Sequence, residues 1–215
     1  IIFTLQSPET SLGFLDRFLA CCEAYNIPVL ILFNKIDLLN FEEVELVEEL
    51  QAMYENLGYQ TLQVSSAEKL NLDKLQEILK DKTCVFFGHS GAGKSTLANA
   101  LHPDLNLKTN EISETHNKGK HTTTFAQMHF WHFGGAVIDT PGVREFAMID
   151  VEKEEIQHYF PEIFEKGREC KFHNCKHINE PKCAVLEALE TGEILESRYI
   201  TYLKLMEEAE EQNQM

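Results

Sequence analysis

A glycine-rich loop between a predicted strand and a predicted helix constrains the fold of this chain more than any other feature. The apolar run TCVFF leads into GHSGAGKST, which satisfies the pattern G-x-x-x-x-G-K-[ST], and the helical pattern KSTLANAL overlaps its end. Glycines allow the backbone N–H groups of such a loop to surround phosphates, and the helix N-terminus directs its positive dipole end towards them. A glycine-rich turn that binds no ligand would not need a strand before it and a helix after it. The sequence therefore predicts a nucleotide phosphate site at Gly88, His89, Ser90, Gly91, Ala92, Gly93, Lys94, Ser95 and Thr96.

Further residues supply the chemistry that a magnesium–nucleotide complex needs. The Lys94 ammonium can reach the outer phosphates, and the Ser95 hydroxyl can bind Mg²⁺. Asp139 ends the apolar run GAVID and begins the sequence DTPG. A carboxylate at such a strand end can hold Mg²⁺ through water, and the backbone N–H of Gly142 can meet a γ-phosphate.

A threonine-rich segment, GKHTTTF, lies between the phosphate loop and DTPG. One hydroxyl of this segment is expected to join the Mg²⁺ shell when a γ-phosphate is present, and both Thr122 and Thr123 are candidates. Thr124 is explained by the preference of threonine for strand positions. We therefore expect Lys94, Thr122, Thr123 and Gly142 to take part in hydrolysis.

The tetrapeptide NKID follows the apolar run PVLILF and has the residue types of a guanine-reading loop. The Asp37 carboxylate can accept hydrogen bonds from the N1–H and N2–H₂ edge of guanine, which adenine does not offer; such a site discriminates by a factor on the order of 10⁴. Asn34 would tie this loop to the phosphate loop, and the Lys35 stem would cover the base. Ser66 and Ala67 follow a third predicted strand, where a backbone N–H would meet guanine O6.

The order of these loops is unusual, because the base-reading loops precede the phosphate loop. Rotated circularly, the order is that of a Ras-like GTPase, and the termini of domains often lie close enough together for such a rotation. Strand patterns alternate with helical patterns, which predicts an α/β fold with a mostly parallel sheet. The strand patterns stop near residue 150.

Local signals predict several element boundaries. Ser11 is expected to cap a helix, and Asn40 with Glu43 forms the pattern of a capping box. Gly134-Gly135 is expected to form the turn of a hairpin. The helix after Asn40 is predicted to bury an apolar stripe made of Leu46, Val47, Leu50, Met53, Tyr54 and Leu57.

The sequence CKFHNCKHINEPKC has the composition of a metal site. Cys170, Cys175, His177 and Cys183 supply three thiolates and one imidazole, which fill a tetrahedral Zn²⁺ shell and leave no open position. His173 is a lower-ranked substitute for His177. We therefore predict a circularly permuted Ras-like P-loop GTPase domain at residues 1–150 and a small, mainly helical zinc-binding domain at residues 151–215.

Charge and composition limit the expected partners. The chain of 215 residues has a formal net charge of −16, so bare nucleic acid should repel it unless its basic residues cluster. The span 166–182 carries five basic and two acidic residues, a local charge of +3 (5 − 2), which fits either a solvated face or a contact with RNA phosphates. No apolar run approaches the roughly 20 residues of a membrane span, so no membrane partner is expected.

Together these residues resemble one family, the circularly permuted ribosome small subunit-dependent GTPases RsgA, also called YjeQ. The resemblance covers nearly the whole chain and rests on NKIDL, GHSGAGKST, GKHTTT, DTPG and the C-x₄-C-x-H-x₅-C cluster. It implies a cytoplasmic GTPase that uses GTP and Mg²⁺, holds one structural Zn²⁺ and acts late in maturation of the small ribosomal subunit, whose rRNA is a partner. It also implies hydrolysis stimulated by that subunit and a monomer that acts on neither DNA nor a membrane.

Two departures from the expected pattern bear on activity. Val143 follows DTPG, where Ras-like enzymes place a glutamine that orients the attacking water. Slow intrinsic turnover is therefore expected, with His121 or His89 as candidate helpers. The family also carries an N-terminal OB-fold, and this chain does not begin with Met, so a fragment of a longer protein is expected.

Two rival functions share some of these features. A P-loop ATPase or kinase would share the phosphate loop, but NKID and the Ser66-Ala67 pair argue against it. A non-hydrolysing zinc-containing RNA-binding module would share the cysteine cluster, but the overall acidity argues against it. Competition between nucleotides separates the first rival from a GTPase.

Overall fold

The computed structural model of the chain describes residues 1–102, 105, 127–139 and 152–212. The chain divides into two compact units, each built from two stretches of sequence. The first unit comprises Ile1–Thr10 and Leu30–Glu145, and the second comprises Ser11–Val29 and Phe146–Met215. The predicted boundary at residue 150 stays a prediction, but the segment Ser11–Val29 packs with the second unit rather than with its sequence neighbours.

The described part of the first unit contains two three-stranded sheets, one wholly parallel and one mixed. Strands β1, β2 and β3 pair in that order and in parallel, and β6 lies between β4 and β5. The backbone N–H of Ile2 donates to the carbonyl of Phe87 at 2.7 Å, which sets β1 beside the segment that continues β4. The strands are β1 Ile2–Phe3, β2 Leu30–Phe33, β3 Gln60–Gln63, β4 Thr83–Val85, β5 Gln127–Phe130 and β6 Ala136–Asp139.

The predicted hairpin is present between β5 and β6. These strands pair antiparallel, with Met128 opposite Ile138. The Trp131 N–H donates to the Gly135 carbonyl at 3.0 Å, which closes the connection. Gly134 and Gly135 have φ angles of 94° and 83°, the left-handed region that glycine tolerates.

Helices of the first unit begin where the sequence predicts. In the capping box at the start of α2, the Glu43 N–H donates to Asn40 Oδ1 at 3.0 Å and the Asn40 N–H donates to Glu43 Oε2 at 2.8 Å. Helix α4 begins at Lys94, directly after the glycine-rich loop. The helices are α2 Phe41–Asn56, α3 Leu72–Leu79 and α4 Lys94–Leu101.

The core of this unit forms where helices α3 and α4 pack on the sheet. The buried residues of this cluster are Ile2, Leu32, Val64, Leu72, Leu75, Leu79, Ala92, Leu97, Leu101, Trp131 and Val137. The alternating strand and helix pattern therefore predicted the right layers, because every second element contributes one apolar face to the same core.

The apolar stripe predicted for α2 is wider than the face of the helix that the rest of the described chain covers. Val47, Leu50 and Tyr54 are buried. Leu46 and Met53 are 43% and 39% exposed, so their predicted burial is wrong. These two side chains lie on one flank of the helix, outside the narrow sector that packs inwards.

The second unit is mainly helical. Its helices are α1 Leu12–Ala24, α5 Pro161–Gly167, α6 Ala184–Glu190 and α7 Glu196–Gln212, with a 3₁₀ helix at Lys153–Tyr159. Ser11 caps α1 as predicted, since its side chain accepts the Phe14 N–H at 3.2 Å. Ala20 and Cys21 of α1 share a core with Phe160, Ile163 and Tyr202. In the described part of the chain, no helix combines the length and apolarity needed to cross a membrane.

A buried ion pair joins α1, α5 and α7. The fully buried Arg198 guanidinium donates from Nε and Nη2 to the Glu162 carboxylate at 2.7 and 3.0 Å. Its Nη1 lies 3.8 Å from Oδ1 of Asp16, which is also fully buried. The guanidinium carbon lies 4.7 Å from the centre of the Phe160 ring. One cation therefore compensates carboxylates from two other helices.

Removing this cation should destabilise the second unit. Arg198→Ala leaves Asp16 and Glu162 without their cation in a dry interior, which typically costs about 3–5 kcal/mol in the free energy of unfolding. Urea denaturation followed by circular dichroism measures the loss. Arg168→Ala is the matched control, because its pair with Glu165 is exposed and should contribute about 0–1 kcal/mol. Equal losses in the two variants would contradict the role given to Arg198.

Candidate nucleotide and metal sites

At two positions of the glycine-rich loop, any side chain would clash with neighbouring residues. Gly88 has a φ of +150°, and a Cβ placed there would come within 2.7 Å of the Ile2 carbonyl. Gly93 has a φ of +102°, and its Cβ would come within 2.4 Å of Asn34 Nδ2. Both positions therefore require glycine for conformation and for close approach to a neighbouring strand end.

Lys94 turns its ammonium back into the loop. Its Nζ donates to the carbonyl oxygens of Gly88 at 2.6 Å and His89 at 2.7 Å. Burial lowers the pKa of Lys94 below its usual value. Ser95 and Thr96 follow in the first turn of α4 and are partly buried. A cation and a hydroxyl thus lie at the helix N-terminus, the arrangement that phosphate and its metal ion require.

The Asn34 side chain connects three loops. Its Nδ2 donates to the Ala92 carbonyl of the phosphate loop at 2.8 Å. Its Oδ1 accepts the Ser66 N–H at 3.1 Å and the Ser66 hydroxyl at 2.9 Å. Asn34 is 3% exposed, so these bonds form away from water. The predicted tie between the NKID loop and the phosphate loop is therefore present, together with a tie to the third loop.

Lys35 makes a second connection to the phosphate loop. Its backbone is left-handed, with φ of 66°, and its Nζ donates to the Gly91 carbonyl at 2.7 Å and also to the Ser7 carbonyl. Burial lowers the pKa of Lys35, and the Asp37 charge acts in the opposite direction. The sequence indicated only a covering role for this stem, so the ammonium contacts are an addition from the structure.

The side chains predicted to read the base lie near the Asn34 hydrogen bonds, at the ends of β2 and β3. Asp37 belongs to a 3₁₀ helix, Ile36–Leu38, and its side chain is exposed. Ser66 is buried and Ala67 is exposed. A bridge between Ser65 and Leu70 closes the turn that holds them. The carboxylate of Asp37 and the backbone around Ala67 are thus accessible to a base.

Several predicted residues cannot be placed. Thr122, Thr123 and Gly142 lie outside the described residues, as do His121 and Val143. Asp139 ends β6, but its side chain also lies outside the described part. Their roles therefore stay predictions.

The second unit brings the predicted metal ligands together. One donor atom from each of Cys170, Cys175, His177 and Cys183 lies within 4.8 Å of every other. His177 Nδ1 is 3.6 Å from Cys170 Sγ and 3.4 Å from Cys183 Sγ, and the two sulfurs are 3.8 Å apart. Zinc bonds of about 2.0–2.3 Å place tetrahedral ligands roughly 3.4–3.8 Å apart. The donor set therefore fits one tetrahedral ion, and the exposed His173 is outside it.

Burial shifts the pKa values of the side chains predicted to bind the metal. It raises the pKa of Cys175 to about 12 and raises that of Cys183, and it lowers the pKa of His177. Burial thus favours the neutral imidazole, as a metal ligand requires, whereas the thiols need a nearby cation to become thiolates. A metal ion held by these residues would supply that charge.

Side chains distant in sequence hold the cluster in shape. His177 has a left-handed backbone, with φ of 58°. Its carbonyl accepts the Tyr199 hydroxyl at 2.7 Å, and the Lys176 carbonyl accepts the Tyr202 hydroxyl at 3.0 Å. The Glu180 carboxylate accepts three backbone N–H groups of the same turn, at 2.8, 2.8 and 3.0 Å. Sequence reasoning missed these supports, since no local motif marks the two tyrosines.

Gly167 bounds the other side of the His177 ring. A Cβ at Gly167 would lie 3.1 Å from Nε2 and 3.2 Å from Cε1 of His177. Gly167→Ala should displace the ring by a few tenths of an ångström and weaken Zn²⁺ affinity by ~10–100-fold. Gly167 is the last residue of α5 and alanine has a higher helix propensity than glycine, so weakening of the helix does not explain a loss of metal.

Competition with a chromophoric chelator measures this affinity. Gly13→Ala is the matched control in the same unit, because a Cβ placed there would lie at an ordinary contact distance of 3.9 Å from Thr201 Oγ1. Equal Zn²⁺ affinity in the wild type and Gly167→Ala would show that the ring has room to move.

Comparison with known proteins agrees with this geometry. The family model described as RsgA GTPase matches residues 1–149. The protein of Christiangramia forsetii named small ribosomal subunit biogenesis GTPase RsgA is 48% identical over 211 residues, covering 98% of this chain and 67% of the relative. The protein of the same name from Flavobacterium psychrophilum is 49% identical over 209 residues, covering 96% of this chain and 64% of that relative. The chain thus spans about two thirds of the length of these relatives.

Two solved structures share the fold. The crystal structure of YjeQ from Thermotoga maritima has a TM-score of 0.81 and 38% identity, covering 97% of this chain and 69% of its own. YloQ, described as a circularly permuted GTPase, has a TM-score of 0.79 and 34% identity, covering 99% and 67%. The predicted fold class, a circularly permuted α/β GTPase followed by a helical segment with a Cys₃His cluster, is confirmed. Sequence, fold and loop geometry agree, and the chain belongs to the RsgA GTPase family.

Proposed function

We propose that this protein hydrolyses GTP during biogenesis of the small ribosomal subunit, and that the subunit stimulates hydrolysis. The observation that carries the nucleotide part is the set of Asn34 hydrogen bonds, which fix the NKID loop, the Ser66 loop and the phosphate loop at one sheet edge. The ribosomal part is supported by the relatives, which are named for that process. Action as a monomer in the cytoplasm is part of the proposal.

The residues of the phosphate site have separate roles. Phosphate oxygens would replace the carbonyls of Gly88 and His89 as acceptors for the Lys94 ammonium. The Ser95 hydroxyl, the Asp139 carboxylate and one of Thr122 and Thr123 would hold Mg²⁺, which neutralises charge that develops on the phosphates. The Gly142 N–H would meet the γ-phosphate.

The metal cluster is proposed to be structural. Four protein ligands complete a tetrahedral shell, so the ion has no open position for a substrate. The proposed ion is Zn²⁺, and its contribution is to the folding of the second unit.

We propose that rRNA contacts only part of the basic span 166–182. Lys166 pairs with Glu169 and Glu193 at 3.4 and 3.0 Å, and Arg168 pairs with Glu165 at 2.8 Å. Lys171, Lys176 and Lys182 are exposed, and Lys171 lies over the Phe172 ring. An exposed cation beside an aromatic ring suits both the phosphates and the bases of RNA. We therefore assign the rRNA contact to these three lysines.

Base choice can be tested at Asp37. Asp37→Asn presents an amide to the donor edge of guanine, so GDP affinity should fall by ~10²-fold or more. Xanthine nucleotides, which carry a carbonyl at that edge, should gain relative to GDP. Fluorescent nucleotide competition measures both, with the exposed Asp73→Asn as control. Equal binding of ATP and GTP by the wild type would contradict the guanine assignment.

Hydrolysis can be tested at Lys94. GTP turnover is measured with and without purified small ribosomal subunits, and stimulation is expected for the wild type. Lys94→Ala should lower turnover by ~10²–10³-fold, because it removes the side-chain cation at the transferred phosphate. The exposed Lys74→Ala should change nothing. Wild-type turnover that subunits leave unchanged would contradict the ribosomal part alone.

A further inference from the structure

Helix α2 carries an apolar flank that the rest of the described chain leaves uncovered. Phe41, at its first position, is 76% exposed, and Leu46 and Met53 are 43% and 39% exposed. Leu46 and Met53 are seven residues apart, so they lie on one flank two turns from each other. The core-facing sector of the helix, by contrast, is filled by Val47, Leu50 and Tyr54.

The same surface is strongly acidic. Helix α2 contains six glutamates and no lysine or arginine. Glu43 is used by the capping box, and Glu55 accepts a hydrogen bond from Thr61. The other four are exposed, and none forms an ion pair within the described part of the chain; they are Glu42, Glu45, Glu48 and Glu49.

Helix stability does not account for this pattern. Glu45 stands three residues after Glu42 and four before Glu49, spacings at which like charges destabilise a helix. The helix dipole favours acidic residues only in the first turn. Beyond the first turn, the repulsion of Glu45 from Glu42 and Glu49 gains no compensation from the dipole, and an external partner of opposite charge would offset it.

We propose that this flank of α2 binds a basic protein segment of the small ribosomal subunit. The inference rests on the proposed function, since the subunit offers two kinds of surface, RNA phosphates and the lysine- and arginine-rich segments of its proteins. Phosphates would be repelled by Glu42, Glu45 and Glu49. A basic segment pairs with these carboxylates, and its apolar side chains cover Leu46 and Met53.

The carboxylates and the apolar side chains of this flank contribute to binding in different ways. Carboxylates at the rim steer a basic partner and fix its register, whereas the apolar centre slows dissociation. Both components are needed, because exposed charge pairs contribute little by themselves. The surface is small, which fits one of several contacts on a large assembly rather than a stable complex of two proteins.

Two variants separate these components. Leu46→Ser with Met53→Ser removes the apolar centre, and Glu42→Lys with Glu45→Lys and Glu49→Lys reverses the charge. Binding of the full chain to purified small subunits is measured with a non-hydrolysable GTP analogue. Each variant should bind ~10-fold more weakly. The loss in the charge variant should shrink at high salt, which screens exposed charges, and the loss in the apolar variant should persist.

Matched controls come from α7 in the second unit. Ile200→Ser removes an apolar side chain that is 41% exposed, and Glu207→Lys reverses an exposed charge; both should bind like the wild type. GTP affinity and a circular dichroism spectrum that both match the wild type would confirm that the α2 variants fold. Subunit binding by both α2 variants at wild-type strength would overturn the inference and leave the proposed function intact.

A photo-crosslinking residue at position 46 identifies the partner class. Crosslinks to a protein of the purified subunit are expected, in the wild-type background and not with the charge-reversed α2. Crosslinks to rRNA, or none to protein, would overturn the inference. A wild type that neither binds subunits nor responds to them would remove the proposed function, and this inference with it.

Discussion

The nucleotide site depends on the three hydrogen bonds of one buried amide. Asn34 follows β2, Ser66 follows β3, and Ala92 lies in the loop after β4, so the groups that it joins are up to 58 residues apart. Asn34 and Ser66 meet because β2 and β3 pair in parallel and end at the same edge, and the hydrogen bond from Ile2 to Phe87 holds the start of the phosphate loop beside β1. The amide also occupies the space that a side chain at position 93 would need. The loops to which we assign base recognition and phosphate binding are therefore held together by one buried side chain.

The circular order of the chain creates a joint between α3 and β4, and this joint is tightly held. The Lys82 N–H donates to the Leu79 carbonyl at 3.0 Å, and the Lys82 carbonyl accepts the Ala136 N–H at 2.9 Å. A Cβ at Gly135 would lie 2.2 Å from that carbonyl, so the β5–β6 turn closes directly on the joint. The rearranged connection is thus integrated into the sheet, and glycine in the turn is what allows it.

Sequence reasoning succeeded where the determinants are local. The caps at Ser11 and Asn40, the start of α4 and the clustering of three cysteines with His177 are all set by residues close together in the chain. It failed where the determinants are distant. Nothing near Asp16 predicts its burial, because its cation, Arg198, comes from a helix almost at the other end of the sequence. Leu46 and Met53 were predicted to be buried because periodicity reveals an apolar stripe but not the width that a neighbour covers.

Helix α1 gives the second unit a direct covalent connection to the base-reading loop. The chain passes between the units at residues 10–11, 29–30 and 145–146, and β2 begins at Leu30 and ends immediately before Asn34. The connection before α1 contains Ser7, whose carbonyl accepts the Lys35 ammonium. Both ends of α1 therefore lead to the residues that hold the nucleotide loops together.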